Sequence, residues 1–142
     1  MPSQYLALKL DEESRKRLLT HCSPLWYEDV RADHVTLSRD DYDVYVKNGG
    51  KFRVGSSYSI DVVAYVANHR VDCVLARIEG TSDREDKKLF HITLSVAQGH
   101  SASDSNLLLE DAFEREMPMR LMNLTLFGKV QLLDNHEQAK AV

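Results

Sequence analysis

The feature that most constrains this chain is a tetrapeptide that occurs twice, as His34-Val35-Thr36-Leu37 and His91-Ile92-Thr93-Leu94. Both copies lie in short runs of β-prone residues. Successive side chains of a strand point to opposite faces. His34 and Thr36 therefore share one face while Val35 and Leu37 share the other, and the second copy repeats this with His91 and Thr93 opposite Ile92 and Leu94. Each strand can bury its apolar face in a core and line a cleft with an imidazole and a hydroxyl. One His-x-Thr alone is more often a packed or surface residue than a catalyst. Two copies with the same class of residue at every position, facing each other, would surround one small anion with two histidines and two hydroxyls. That equipment suits metal-free phosphodiester chemistry.

The rest of the chain reads as an α+β domain with a mostly antiparallel sheet system and helices packed outside. Gln4–Leu10 reads as a strand, and Asp11 caps a helix that runs to Thr20. Ala32–Ser38 is the first motif strand. Arg39–Gly50 is polar and irregular, with room for one short helix. The β-branched and aromatic runs Tyr58–Val66 and Arg70–Glu79 form a hairpin around Ala67-Asn68-His69. A charged loop, Gly80–Lys87, leads to the second motif strand, Leu89–Val96. A Gly/Ser loop follows, then a helix over Asp104–Arg115 and a long strand over Arg120–Leu133, bulged at Gly128. Residues 1–133 are expected to form one domain and 134–142 a polar, frayed tail. With Met1 directly before the first strand, no kinase or ligase domain is expected to precede it.

Composition narrows the partners. The chain has 142 residues, 43% hydrophobic and 28% charged, which suits one soluble domain with a sizeable core. No apolar run approaches the ~20 residues that span a bilayer, and no signal-peptide pattern opens the chain. A cytoplasmic location is the default, with the nucleus as the alternative. The net charge of −4 disfavours a grip on duplex DNA and favours a small phosphodiester or an RNA end. Cys22 and Cys73 lack motif spacing and read as ordinary buried thiols, with no disulfide between them. No phosphate-binding loop, nucleotide fingerprint or serine or cysteine nucleophile motif occurs.

Around the motifs, the candidates divide. Arg39 follows the first motif and could pair with a phosphate, or be a solvated loop residue. His100 and Ser101 lie in the loop Gln98–Ser103 that leaves the second motif, and could touch substrate or only solvent. Tyr42, Tyr45 and Phe52 could stack on a base, and Tyr42 is taken with Arg39, His100 and Ser101 as substrate-binding. Tyr58, Tyr65, Phe90 and Phe127 read as core, and Trp26-Tyr27 as a core plug in preference to a rim. His21, His69 and His136 read as surface residues. Metal ligands normally come in larger clusters of His, Cys or carboxylate. Asp33 precedes His34 but in a strand would point the other way, so no metal and no cofactor are expected.

The paired His-hydrophobic-Thr-hydrophobic motifs resemble those of the two-histidine phosphoesterase superfamily. Tyr5-Leu-Ala-Leu-Lys-Leu10 with its following helix fits the first strand and helix of that fold. The second half resembles one branch, the cyclic phosphodiesterase domain of plant- and fungal-type tRNA ligases. That likeness rests on His91-Ile-Thr-Leu-Ser-Val-Ala-Gln-Gly-His100, Ala102-Ser-Asp-Ser-Asn-Leu-Leu108 and Leu124-Thr-Leu-Phe-Gly-Lys-Val130. The resemblance implies a two-lobed fold around a central cleft. It also implies a metal-independent 2′,3′-cyclic phosphodiesterase that acts on RNA ends or small cyclic nucleotides and leaves a 2′-phosphate; the chain itself is expected to be a monomer. His34 and His91 would be general acid and base, in an order the sequence leaves open, and Thr36 and Thr93 would hold phosphoryl oxygens. Two alternatives stand beside it. One is a phosphodiesterase for 2′,5′-linked oligonucleotides or cyclic nucleotide signals; the other is a non-catalytic RNA-end or nucleotide binder. The motif strands are expected to be central or near-central, with Val35, Leu37, Ile92 and Leu94 buried behind them. The loops Arg39–Tyr45 and Gln98–Ser103 are expected to form the rim of the cleft.

Overall fold

The computed structural model describes residues 4–84 and 86–134. In chain order they form β1 (Gln4–Leu10), α1 (Glu12–Cys22), β2 (Asp29–Val30), β3 (His34–Ser38), α2 (Tyr42–Lys47), β4 (Ser57–Ala67), β5 (Val71–Arg77), β6 (His91–Val96), α3 (Asp104–Glu114) and β7 (Arg120–Asp134). The strands make one seven-stranded sheet in the order β2-β6-β5-β4-β7-β1-β3. Every neighbouring pair is antiparallel. This is an α+β fold whose two expected lobes are the two halves of one continuous sheet.

Local chemistry explains most element boundaries. The Asp11 carboxylate accepts the Ser14 backbone N–H at 2.7 Å and so starts α1. The β4–β5 hairpin turns on Asn68, whose side-chain oxygen accepts the N–H groups of Arg70 and Val71. Gly128 does not mark a bulge. It stays in register with Leu10 and Tyr58, and a Cβ there would lie 2.7 Å from the Lys9 carbonyl oxygen. The glycine is there to let two backbones approach, while the register slips elsewhere, between Val62 and Ala64. Asp134 pairs with Gln4 at the end of β7, and the rest of the expected tail, His136 included, lies outside the described residues.

Sequence alternation sorts the core. One face of the sheet carries Val35, Leu37, Val74, Ala76, Ile92, Leu94, Leu124 and Leu126, packed with Leu18 of α1 and Tyr45 of α2. The other face carries Ala64, Val66, Cys73 and Leu75, packed against Leu108, Leu109 and Ala112 of α3. β5 feeds both faces, which is why it is apolar almost throughout. The four residues behind the motif histidines and threonines are all buried, each at 1% exposure or less. Phe127 breaks the expectation of a core residue: it is half exposed because Leu124, Leu126 and Val130 take the inward parity of β7.

Topology brings the two motifs together. β2 and β3 are consecutive in the chain, yet they occupy opposite ends of the strand order. Only three residues, Arg31–Asp33, join them, so the sheet must curl until its two ends meet. The joint is stitched by backbone bonds from Arg31 N to Leu94 O at 2.7 Å and from Ala32 N to Thr93 O at 2.8 Å. Ala32 makes the corner with a left-handed φ of 49° and is fully buried. The first motif strand consequently starts at His34, two residues later than expected, and β3 is an edge strand and not a central one. Its neighbour across the curl is β6, which carries the second motif.

Candidate active site

His34, Thr36, His91 and Thr93 line one narrow cleft between β3 and β6. Arg31, Asp33, Arg39, Arg84, Ala102, Ser103 and Asn106 complete its wall. The chain carries net negative charge, yet it gathers three guanidinium groups around two imidazoles. Arg31 is paired with Asp29 and Arg84 with Asp86, and Asp33 lies in the wall, so Arg39 is the guanidinium whose charge is least offset and the one best placed to meet a small anion.

The two histidines differ in their surroundings. His91 is buried, and its Nδ1 lies 2.8 Å from the Leu89 carbonyl oxygen. A carbonyl can only accept, so Nδ1 carries the proton and Nε2 offers its lone pair. Burial drives the His91 pKa down to about 4, aided by the positive charges of Arg84, His34 and Arg39 and opposed by the bond to Leu89. His34 is less buried. Its Nδ1 lies 3.2 Å from Asp33 Oδ2, and its Nε2 3.1 Å from the Tyr5 hydroxyl. The bond to His34 is the main reason the Asp33 carboxyl sits below its usual range. Asp33 thus does not point away from His34. It precedes the first residue of β3, where strand alternation does not yet apply, and it lines the same cleft.

The hydroxyls are unequal too. Thr93 lies 2.9 Å from Ser105 Oγ and donates at 3.3 Å to Ala102 O, which ties it to the start of α3. Thr36 is buried, at 8% exposure, and while its backbone pairs with β1, its hydroxyl has no hydrogen-bond partner among the described residues. Arg84 is almost fully buried and held by a two-pronged contact to Asp86, at 2.8 and 2.6 Å. Arg39 lies over the Tyr5 ring, 4.5 Å from its centroid.

Several sequence expectations shift. Tyr42 does not reach the cleft: it packs against the core beside Tyr45 and its hydroxyl accepts the Val54 N–H. Tyr45 and Phe52 are buried: α2 turns Tyr45 inward, and Phe52, in the loop beyond it, donates its backbone N–H to the Tyr45 hydroxyl. Ser101 bonds Ser103 Oγ at 2.7 Å, and it is Ser103 that borders the cleft. His100 pairs with Asp104 at 3.5 Å and lines a neighbouring groove. Trp26 is 68% exposed and no core plug. Cys22 and Cys73 are buried and free, and burial raises their thiols to about 11 and about 12. Among the described residues no three His, Cys, Asp or Glu side chains form a metal-holding group.

Sequence reasoning missed Arg84, which lay in a loop read only as charged, and Arg31, hidden in the linker before the first motif. It also missed Asn106, whose side-chain oxygen is buried in the cleft wall without a partner, and the contact of Tyr5 with His34. No local pattern marks these residues; each reaches the site through the fold.

The chain shares its fold with the crystal structure of a fungal RNA kinase. The match covers 94% of this chain and 46% of that one, with a TM-score of 0.63 at 16% identity. The chain therefore spans about half the length of that protein. No family model and no curated protein matches it. Among the described residues no helix is long and apolar enough to cross a membrane. The likeness establishes a fold shared with an RNA-directed enzyme, carrying in this chain a two-histidine, three-arginine cleft.

Proposed function

We propose that this protein is a metal-independent phosphodiesterase that opens 2′,3′-cyclic phosphates at RNA or nucleotide ends and leaves a 2′-phosphate. Residues 1–133 form its catalytic domain. The observation that carries the reading is the asymmetry of the two histidines in one arginine-lined cleft.

His91, neutral with its Nε2 lone pair free, is the base. It takes a proton from water as the water oxygen attacks phosphorus. The bond from phosphorus to O3′ breaks and the bond to O2′ stays. His34 is the acid: the Asp33 carboxylate holds Nδ1–H and is a counter-ion for its imidazolium. The proton from Nε2 goes to O3′, directly or through the Tyr5 hydroxyl bonded there. After one turnover His91 carries a proton and His34 has lost one, and exchange with solvent resets both. The free Thr36 hydroxyl and the guanidinium groups of Arg39 and Arg84 stabilise the phosphoryl oxygens as charge builds. Each acid or base is worth roughly 10²–10⁴-fold.

The test is turnover of a 2′,3′-cyclic mononucleotide, with the product identified by phosphorus NMR as the 2′- or 3′-phosphate. A 2′-phosphate is expected. Phosphate binding with no turnover of 2′,3′-cyclic, 2′,5′-linked or 3′,5′-cyclic substrates would make the protein a binder and end the catalytic reading.

A further inference from the structure

A second, larger hollow opens beside the cleft. It runs from Arg31, which lines both, past Trp26, Tyr27 and Glu28 to His100. It offers about 810 Å³ where the cleft offers about 30 Å³. Its most unusual feature is Trp26, the only tryptophan of the chain, at 68% exposure. An exposed indole on a mobile loop would mean little, but this one stands on a fixed backbone. Trp26 N donates to the carboxylate of Asp72, which is fully buried and also accepts bonds from Ser95 N at 2.7 Å, Ser95 Oγ at 2.5 Å and Tyr65 Oη at 2.7 Å. Next to it, Tyr27 N donates to Ser95 Oγ at 3.2 Å, and the Tyr27 hydroxyl to Asn68 O at 2.5 Å. A buried carboxylate and two strands thus fix the backbone that carries a large apolar ring out into solvent, at the edge of a groove that leads to the catalytic cleft.

From this we infer that the groove receives the strand of a single-stranded RNA, with a base 5′ of the reacting end stacked on Trp26. The substrate class is then an RNA terminus and not a free cyclic mononucleotide. The groove is only partly enclosed, which suits a chain laid across it more than a closed pocket would. It is too large to be filled by a phosphate. Glu28 and Asp29 on its wall oppose a phosphate there, whereas an uncharged base can donate to them. Arg31, already bonded to Asp29 at 3.0 Å by two nitrogens, stands at the junction, where the backbone would cross from cleft to groove. Stacking on an aromatic side chain is worth roughly 1–3 kcal/mol per base, without regard to sequence. The inference rests on the proposed function for the chemistry in the cleft, but not for binding in the groove.

Two measurements test it. Trp26 reports its own contacts by fluorescence. A short single-stranded RNA ending in a 2′-phosphate should quench it saturably, and inorganic phosphate at saturating concentration should not. In kinetics, wild type should favour an RNA tetramer with a 2′,3′-cyclic end over the matching cyclic mononucleotide by roughly tenfold or more in kcat/KM. Trp26→Ala should shrink that ratio about tenfold, and Trp26→Phe should restore part of it. An unquenched Trp26, or a ratio unchanged by Trp26→Ala, would overturn the inference. If wild type turns over no cyclic phosphate at all, the catalytic reading fails, and the quenching titration still decides the groove.

Discussion

Mild acid should destabilise this protein through His91 before it acts on the carboxylates. The unfolded chain holds His91 near the ordinary histidine value of about 6.5. In the folded protein burial, with the charges of Arg84, His34 and Arg39, lowers it to about 4. Between those two values the unfolded state binds a proton that the folded state refuses, so stability must fall as pH falls. The contribution is fully present above about 6.5 and is lost on descending to about 4. A gap of about 2.5 pH units, at about 1.4 kcal/mol each, gives a loss on the order of 3 kcal/mol between pH 7 and pH 4. That is a large part of the 5–15 kcal/mol that typically holds a domain together. The assay is urea unfolding followed by circular dichroism at several pH values across this range. His91→Asn is the control, because its amide can still donate to the Leu89 carbonyl but does not titrate. The variant can be less stable overall, yet its curve should be flatter by most of those 3 kcal/mol. Equal slopes in the two proteins would refute the burial argument, and with it the assignment of His91 as the neutral base.

The other predictions concern the cleft. His34→Ala and His91→Ala should each lower turnover of a cyclic phosphate at least a hundredfold with circular dichroism unchanged, and the double variant should be little worse than either; a single variant keeping more than about a tenth of activity would remove that residue from the mechanism. Thr36→Val should lower kcat by about 10–10³-fold at nearly constant stability, since its hydroxyl has no protein partner to lose; unchanged kinetics would leave it a strand former only. Thr93→Val should also cost about 1 kcal/mol in urea unfolding, because Ser105 Oγ loses its partner; equal stability would show that contact to be idle. Activity should persist in EDTA, and a loss reversed by one divalent ion would sink the metal-free mechanism.

How far the sequence reached can be judged residue by residue. The alternation in His34–Leu37 and His91–Leu94 specified two strands, the face each buries and the face each offers, because a two-residue period admits no other arrangement. The Asp11 cap, the Asn68 turn and the apolar run of β5 were equally local, and they yielded the α+β class and most element boundaries. Aromatic roles were not legible. Tyr42, Tyr45 and Phe52 follow the first motif in sequence, but α2 and the loop after it turn them inward, while Trp26 is carried out by its own backbone bond to Asp72 and by that of its neighbour Tyr27 to Ser95. Those bonds span 46 and 68 positions, which no local pattern encodes. The same holds for Arg31, Arg84, Asn106 and Tyr5, and for Asp33, where one residue outside the strand was enough to reverse the expected direction. Above all, the sequence could present two half-sites but not join them. That was decided by a three-residue corner at Ala32, which ties the first and last strands of one sheet and curls it closed. The position of that corner is set by packing and pairing partners distant in the chain. Within the closed site His91 is buried more deeply than His34, and so two nearly identical tetrapeptides become chemically different.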